Sequence, residues 1–215
     1  MSFVLLRRLP PAITALLALT LGLTIAVALD ARWGGSLDRH LSLQPEAVFR
    51  GELWRLVTWP FIHTGPLPLI FTCVTIYVFG TDLRLRWGAR AFRRHLFAVL
   101  ALSAAGTCLL ALAVPSWSWM PHHAGLVLMD LLVIAWARQF PDAPVTMYFL
   151  LMVRGPAIVT LVIAVTLVFT IFVGIGWMSP ELLAIAASLL LLDRPHRRWW
   201  LKLRLLLVRR RLRSV

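Results

Sequence analysis

The chain is poor in acidic residues and in lysine. It carries nine Asp and Glu against 22 Lys and Arg, all but one of them arginine, and its formal net charge is +13. No RNA- or DNA-binding motif accompanies this charge, and the arginines flank apolar runs. We therefore expect the cationic groups to contact anionic lipid at the cytoplasmic face of a membrane, and we expect no nucleic-acid partner.

Cysteine is also scarce. The sequence contains Cys73 and Cys108 alone, and both lie inside apolar runs. A disulfide framework needs several cysteines in an oxidising compartment. The cysteine content therefore argues against a disulfide-bonded secreted domain and indicates two small core residues.

Long apolar segments make up most of the sequence. The chain is 60% hydrophobic with a mean hydropathy of +0.82, which excludes an ordinary soluble domain. Helix is the expected structure, because a chain in lipid must satisfy its own backbone hydrogen bonds and the alternation of a closed barrel is absent. The six apolar runs are 12–29, 66–81, 95–114, 124–137, 156–174 and 179–192.

The distribution of basic residues predicts a topology. Six spans place 18 of the 22 basic residues on one side of the membrane, which the positive-inside rule assigns to the cytoplasm. We therefore expect an all-α integral membrane protein with both termini cytoplasmic, in a bacterial inner membrane. The expected parts are a cytoplasmic N-terminus at 1–11, a six-span membrane domain at 12–192 and a basic, Trp- and Leu-containing cytoplasmic tail at 193–215.

Three further segments have compositions typical of the membrane interface. The first external loop, about residues 30–65, is too long for a simple turn and contains several aromatic residues, so we expect it to be partly embedded in the membrane. The apolar stretch Met147–Leu151 suggests a short interfacial helix before the fifth span. The basic tail is expected to lie along the inner leaflet.

One motif and its surroundings resemble the rhomboid superfamily over about residues 50–192. Glu52-Leu-Trp54-Arg55 lies in the second half of the first loop, Gly80 follows His63 by seventeen residues, and a Phe-Pro-Asp turn follows the fourth run. Rhomboids often carry Glu-x-Trp-Arg in this loop, and the related derlins share the Trp-Arg pair. The resemblance implies a six-transmembrane-helix rhomboid-like bundle with a long first external loop.

The resemblance also locates the positions at which rhomboid proteases carry their catalytic groups. Those enzymes use a serine in a Gly-x-Ser-Gly motif on span four, a histidine on span six, and a His and an Asn on span two that help to hold the oxyanion. Nucleophilic catalysis needs a hydroxyl with a neighbouring base and donors for the developing charge. The matching residues here are Ala124, Glu181, Pro68 and Thr72, respectively. The sequence therefore predicts a catalytically inactive member, a pseudoprotease.

The function that this implies is the binding of client membrane proteins through their transmembrane segments, without cleavage and without a cofactor. Rhomboids hold such a segment at a lateral opening between spans two and five. Polar Thr72 and Asp130 are candidates to meet polar groups of a client helix. The remaining candidate residues are the loop motif Glu52, Trp54 and Arg55 and the helix-packing residues Gly125, Ala184 and Ser188.

Two other functions stay open at this point. The chain is an active rhomboid-type intramembrane serine endopeptidase if Ala124 is an engineered replacement, or if the nucleophile is displaced to Ser116 or Ser118 with His122 or His123 as base. Three histidines and a carboxylate, as in His63, His122, His123 and Glu181, match catalytic zinc ligation, which makes a membrane metalloenzyme the second alternative. A hydroxyl that touches an imidazole inside a wet pocket would contradict the pseudoprotease.

Overall fold

The computed structural model describes residues 9–124, 126–143, 145–147 and 151–192. The described part is built from helices joined by short turns, with one small hairpin. The helices are α1 (Pro11–Arg32), α2 (Leu37–Leu41), α3 (Pro45–Phe49), α4 (Arg55–Thr58), α5 (Pro66–Thr75), α6 (Thr81–Trp87), α7 (Ala89–Ala113), α8 (Val127–Gln139), α9 (Gly155–Val173) and α10 (Ser179–Leu192).

Four of the described helices are long and apolar enough to cross a membrane. They are Pro11–Arg32, Pro66–Trp87, Ala89–Ala113 and Gly155–Val173. The second is α5 and α6 joined through a π turn at Ile76–Gly80. The α10 helix is apolar but has 14 residues, and α8 has 13, so length alone does not make either a span. The expected bundle of membrane helices is present, whereas the count of six spans stays a prediction.

The centre of the bundle is α8, which packs against α10, α9 and the π turn. Nine of its 13 residues are buried. Close approach of α7 and α10 relies on small residues: a Cβ on Gly106 would lie 2.9 Å from the Leu183 side chain. The Ser103 hydroxyl of α7 donates to the Pro180 carbonyl at 2.6 Å, which fixes the start of α10.

The outer helices pack on this centre with one face each. Gly80 allows α1 to come close, because its added Cβ would lie 3.3 Å from Ile13 of α1. Gly155 begins α9 directly against the end of α8, where a Cβ would lie 2.5 Å from the Ala137 carbonyl oxygen. The rest of α9 is largely exposed, with Ile158 and Thr166 as its other buried residues.

The segment before α9 is a hairpin. Two short strands, β1 (Val145–Met147) and β2 (Leu151–Val153), pair antiparallel. The interfacial helix that we expected at Met147–Leu151 is therefore wrong for its two end residues, which pair with each other. An apolar run this short does not distinguish a strand from a helix by its pattern. Gly125, residues 1–8 of the N-terminus and the tail at 193–215 lie outside the described residues.

Candidate functional site

The first loop is organised around one arginine. The Arg55 side chain is 4% exposed, and its Nε and Nη2 atoms lie 2.8 and 2.7 Å from Glu52 Oε2. Its Nη1 atom donates to the carbonyl oxygens of Ser42, at 2.8 Å, and of Arg39. Since the guanidinium presents a planar fork of donors, one side chain fixes two distant turns of the loop. The i, i+3 spacing of Glu52 and Arg55 allowed this pairing; the two carbonyl partners had no sequence signal.

The neighbouring residues add to the same network. Trp54 Nε1 donates to the His40 carbonyl at 3.0 Å, while half of the Trp54 side chain is exposed. The Thr58 hydroxyl donates to the Leu41 carbonyl at 2.8 Å. Helices α2 and α4 are therefore joined by side-chain donors to backbone acceptors. The outer surface of the loop is apolar, with the exposed aromatic side chains Trp33, Phe49, Trp54 and Trp119 on or next to it.

The loop holds the segment that leads into α8, where the nucleophile of a rhomboid protease would lie. Leu43 and His122 exchange backbone hydrogen bonds of 2.8 and 2.9 Å. The Ala124 N–H donates to the Ile62 carbonyl at 2.9 Å. These contacts keep residues 122–124 extended, and α8 begins at Val127. The Ala124 side chain is fully buried and is a methyl group, so it has no atom to attack a carbonyl or to carry a proton.

The side chains of Thr72 and of His63, the residue after Ile62, are in direct contact. His63 Nε2 lies 2.9 Å from Thr72 Oγ1, and the Thr24 hydroxyl of α1 lies 3.5 Å from His63 Nδ1. The Thr24 hydroxyl donates its single hydrogen to the Phe61 carbonyl at 3.0 Å, so its oxygen can only accept from the imidazole. We therefore assign the ring hydrogen to Nδ1, and Nε2 accepts the hydrogen bond of Thr72.

A hydroxyl thus touches an imidazole at Thr72, the residue that the rhomboid resemblance aligned with an oxyanion group. The pocket is closed, however, because Thr72 is 0% exposed and His63 is 5% exposed. Burial lowers the pKa of His63 to about 4, against the smaller opposing effect of a hydrogen bond to the Phe61 backbone. The group behind the imidazole is the Thr24 hydroxyl, whereas a catalytic triad has a carboxylate there to stabilise the imidazolium. The contact that would contradict the pseudoprotease is present, but the wet pocket is not.

Glu181 and Asp130 are buried carboxylates of the described bundle. Glu181 is 5% exposed and accepts hydrogen bonds from backbone N–H groups, including that of Leu126, while its Oε2 atom has no partner among the described residues. Asp130 is 6% exposed and accepts from the Thr166 hydroxyl of α9 at 3.3 Å. Asp130 and Thr72 are both paired inside the bundle, so neither presents its polar group to a client helix in this arrangement.

Ser116 and Ser118 are the candidates for a displaced nucleophile. The Ser118 hydroxyl donates to the Ala111 carbonyl at 3.4 Å, and the described structure shows no hydrogen bond between Ser116 or Ser118 and either nearby histidine. His123 Nε2 lies 2.8 Å from Asp38 Oδ1 of α2. His122 packs edge-on against Trp177 with 6.1 Å between ring centroids, and burial lowers its pKa to about 4.

The three histidines of the metal hypothesis are engaged separately. His63 faces two threonine hydroxyls, His122 faces Trp177 and His123 faces Asp38. Over residues 9–124, 126–143 and 151–192, no three His, Cys, Asp or Glu side chains are grouped as metal ligands. The arrangement therefore offers no convergent donor set that would hold zinc.

The remaining candidate positions are structural in their surroundings. Pro68 is half-buried in the first turn of α5, where a missing backbone N–H costs nothing. Ala184 and Ser188 are 0% exposed on α10, which packs against α7 and α8. The described part of the chain gives Ser188 Oγ no hydrogen-bond partner. The small, fully buried residues on this face of α10 allow close packing against α7 and α8.

A family model and a curated relative can be compared with this geometry. A family model described as "Eukaryotic integral membrane protein (DUF1751)" matches residues 13–190. Derlin-1 of Arabidopsis thaliana is 27% identical over 150 residues, which cover 69% of this chain and 53% of the relative. The chain therefore spans about half the length of the curated relative that it matches. The eukaryotic description contradicts the bacterial inner membrane that we expected; a positive-inside charge bias is shared by many membranes and does not distinguish between them.

Proposed function

Because the chain belongs to the family described as eukaryotic integral membrane proteins (DUF1751), we propose that it is a non-proteolytic, rhomboid-like membrane protein that binds transmembrane segments of client proteins. The similarity to Derlin-1 supports the rhomboid-like relationship. The observation that carries the proposal is the position of Ala124, which is fully buried and held by the first loop. The rhomboid resemblance aligns this residue with the nucleophile of the proteases, and its methyl group supports a role without cleavage.

The proposed topology has six spans, with α8 and α10 as the two short ones. A 13-residue helix is about 20 Å long, less than the roughly 30 Å of a hydrocarbon core. It can complete a span because α8 is enclosed by protein and its extended entry at 122–124 pairs with the first loop. In this topology 1–11 and the tail at 193–215 are cytoplasmic, 12–192 is the membrane domain, and the tail's basic residues face anionic lipid.

The proposed client surface lies on the outer faces of α5 and α9. Both helices pack on α8, and both leave apolar residues exposed. The exposed stripe on α5 and the π turn has a spacing of three and four residues, and α9 is exposed over most of its length. Such faces suit a partner helix that is itself apolar. The stripe consists of Leu67, Ile70 and Val74 on α5 and Val78 in the π turn.

Site-specific crosslinking tests client binding. A photoreactive amino acid at Val74 or Val168 is expected to crosslink a reconstituted single-span apolar helix several-fold more than the same amino acid at Leu109, which is 66% exposed on α7 and serves as the matched control. Equal crosslinking from all three positions would contradict the proposal.

A cleavage assay tests the absence of proteolysis. The protein is incubated in liposomes with a helix-destabilised membrane substrate, and we expect no site-specific product from the wild type or from Ala124→Ser. The serine alone is not expected to restore activity, because the resemblance places Glu181, and no histidine, at the span-six position. Cleavage by the wild type that Thr72→Val abolishes would instead assign a nucleophilic role to the Thr72–His63 pair.

A further inference from the structure

An apolar groove lies between α1 and the first half of α7. Its volume is about 450 Å³, and Phe61 of the first loop is part of its lining. On α7 its lining residues recur at Ala89, Phe92, Leu96 and neighbouring positions, which is one face of a helix. They extend over nine residues of each helix, Pro11–Leu19 and Ala89–Phe97, or about 12 Å along the helix axes.

Two arginines lie in the lining at the end of the groove where α1 and α7 begin. These are Arg84 of α6 and Arg93 of α7. Among the described residues, the buried Nε atom of the half-buried Arg84 has no hydrogen-bond partner, and neither Arg84 nor Arg93 forms an ion pair. An unpaired buried donor on a charged group is costly, so this atom is available to an acceptor such as a phosphate oxygen.

Nearby acidic residues do not neutralise this charge. The α7 helix contains no Asp or Glu, and the one acidic residue of α6, Asp82, accepts a 2.9 Å hydrogen bond from Trp136 Nε1. The next arginine along α6, Arg86, lies over the Phe140 ring at 5.7 Å from its centroid. The groove therefore combines an apolar wall with an uncompensated positive end.

We propose that this groove binds one anionic phospholipid, with an acyl chain between α1 and α7 and the phosphate on Arg84 and Arg93. Apolar walls match the chain, and guanidinium groups match phosphate oxygens in charge and in geometry. In the proposed topology this end faces the cytoplasm, where anionic lipids are concentrated. The lipid would bridge α1 to α7 beneath the first loop, independently of whether the protein binds clients.

The charge of the chain's own termini does not complement the two arginines. Residues 1–8 contain two arginines and no acidic residue, and residues 193–215 contain nine basic residues and one acidic residue. Either segment would bring like charge to Arg84 and Arg93. A single-chain fatty acid would satisfy the same chemistry with one charge, and the test below separates it from a phospholipid by mass.

Native mass spectrometry of the purified full chain tests the proposal. After incubation with phosphatidylserine or with phosphatidylcholine of the same acyl chains, we expect one retained phosphatidylserine per chain and at least a tenfold preference over phosphatidylcholine. The double variant Arg84→Ala/Arg93→Ala is expected to lose this preference, since each arginine contributes about five- to tenfold. The control Arg90→Ala/Arg94→Ala removes two exposed arginines of α7 outside the lining and is expected to keep binding within about twofold.

A second variant fills the groove and leaves the charge unchanged. Ala15→Phe places a ring in the lining of α1, whereas Ala18→Phe places the same ring at an exposed position of α1 outside it. We expect Ala15→Phe alone to reduce phosphatidylserine retention at least tenfold. Equal loss in both arginine pairs, equal retention of both lipids, unchanged retention in Ala15→Phe, or retention of a fatty acid only would each overturn the proposal.

Discussion

The first loop lies beside the positions that the rhomboid resemblance aligns with catalytic groups, and the two regions differ in how their polar groups are paired. In the loop, Arg55 is buried with Glu52 and two backbone carbonyls as partners. At the aligned positions, Ala124 offers only a methyl group, and among the described residues Glu181 keeps one oxygen without a partner. Arg55, Ala124 and Glu181 are all buried, so burial alone does not separate the two regions.

The difference shows which interactions the fold needs. The loop holds residues 122–124 through the backbone of Leu43 and Ile62. The loop itself is held by side-chain donors that bind backbone acceptors with fixed geometry. A proton-transfer site needs a nucleophile, an oriented base and access for substrate, and loss of any one removes the chemistry. Interactions that stabilise the fold can therefore be retained even where the groups needed for the reaction have been replaced.

The largest expected effect comes from breaking the loop's network at its centre. Arg55→Ala leaves Glu52, whose side chain is 32% exposed, and the carbonyl oxygens of Ser42 and Arg39 without their donor, and we expect it to reduce the free energy of unfolding by about 2–3 kcal/mol. Thermal unfolding in detergent micelles measures this change. Arg55→Lys keeps the charge without the planar fork and should recover less than half of the loss. A loss below about 1 kcal/mol in Arg55→Ala would show that the loop does not depend on this residue.

A pH series tests the closed pocket at the catalytic positions. His63 has a pKa of about 4 in the folded state and about 6.5 when unfolded, so the unfolded state binds the extra proton between these values. Stability from this group is complete above pH 6.5 and falls as the pH is lowered through the window, by about 2 kcal/mol at pH 5. The wild type should therefore lose about that much more stability than His63→Gln between pH 6.5 and pH 5. Parallel pH profiles would mean that water reaches the imidazole.

Removal of the hydroxyl beside this imidazole should have a smaller effect. Thr72→Val keeps the side-chain shape and leaves His63 Nε2 without its 2.9 Å partner. We expect a loss of about 1 kcal/mol, because hydrogen bonds between helices in membrane proteins are usually this weak. Thr75→Val, at a buried threonine one turn along α5, is the matched control. A stabilising effect of Thr72→Val would indicate that the hydroxyl serves activity at the expense of stability.

The smallest effect is expected at the rim of the loop. Arg50 pairs with Glu46 at 2.9 Å, but its side chain is 64% exposed. Arg50→Ala should change the free energy of unfolding by no more than about 0.5–1 kcal/mol, which unfolding in detergent micelles measures alongside Arg55→Ala. A loss as large as that of Arg55→Ala would remove the distinction between the loop's centre and its rim.

Local spacing made part of the site predictable. Glu52 and Arg55 are three residues apart, and they pair across the turn that leads into α4. The apolar run 179–192 coincides with α10, because Ser-Pro-Glu gives a clear start signal. The run 124–137 was displaced, since the Ala124 N–H binds the Ile62 carbonyl and α8 starts three residues later, at Val127. That contact joins residues 62 positions apart and has no local signature.

The sequence by itself determined that the chain is an integral membrane protein, that it is helical, and that an alanine stands at position 124, since these depend on residue types and on their spacing along the chain. The tertiary structure decided which polar groups meet. It brought Thr24, His63 and Thr72 together from three segments, and it separated His123 from His122 by giving each a different partner. The physical reason is that side-chain hydrogen bonds act over about 3 Å, whereas the chain brings such groups together across loops whose path no local pattern encodes.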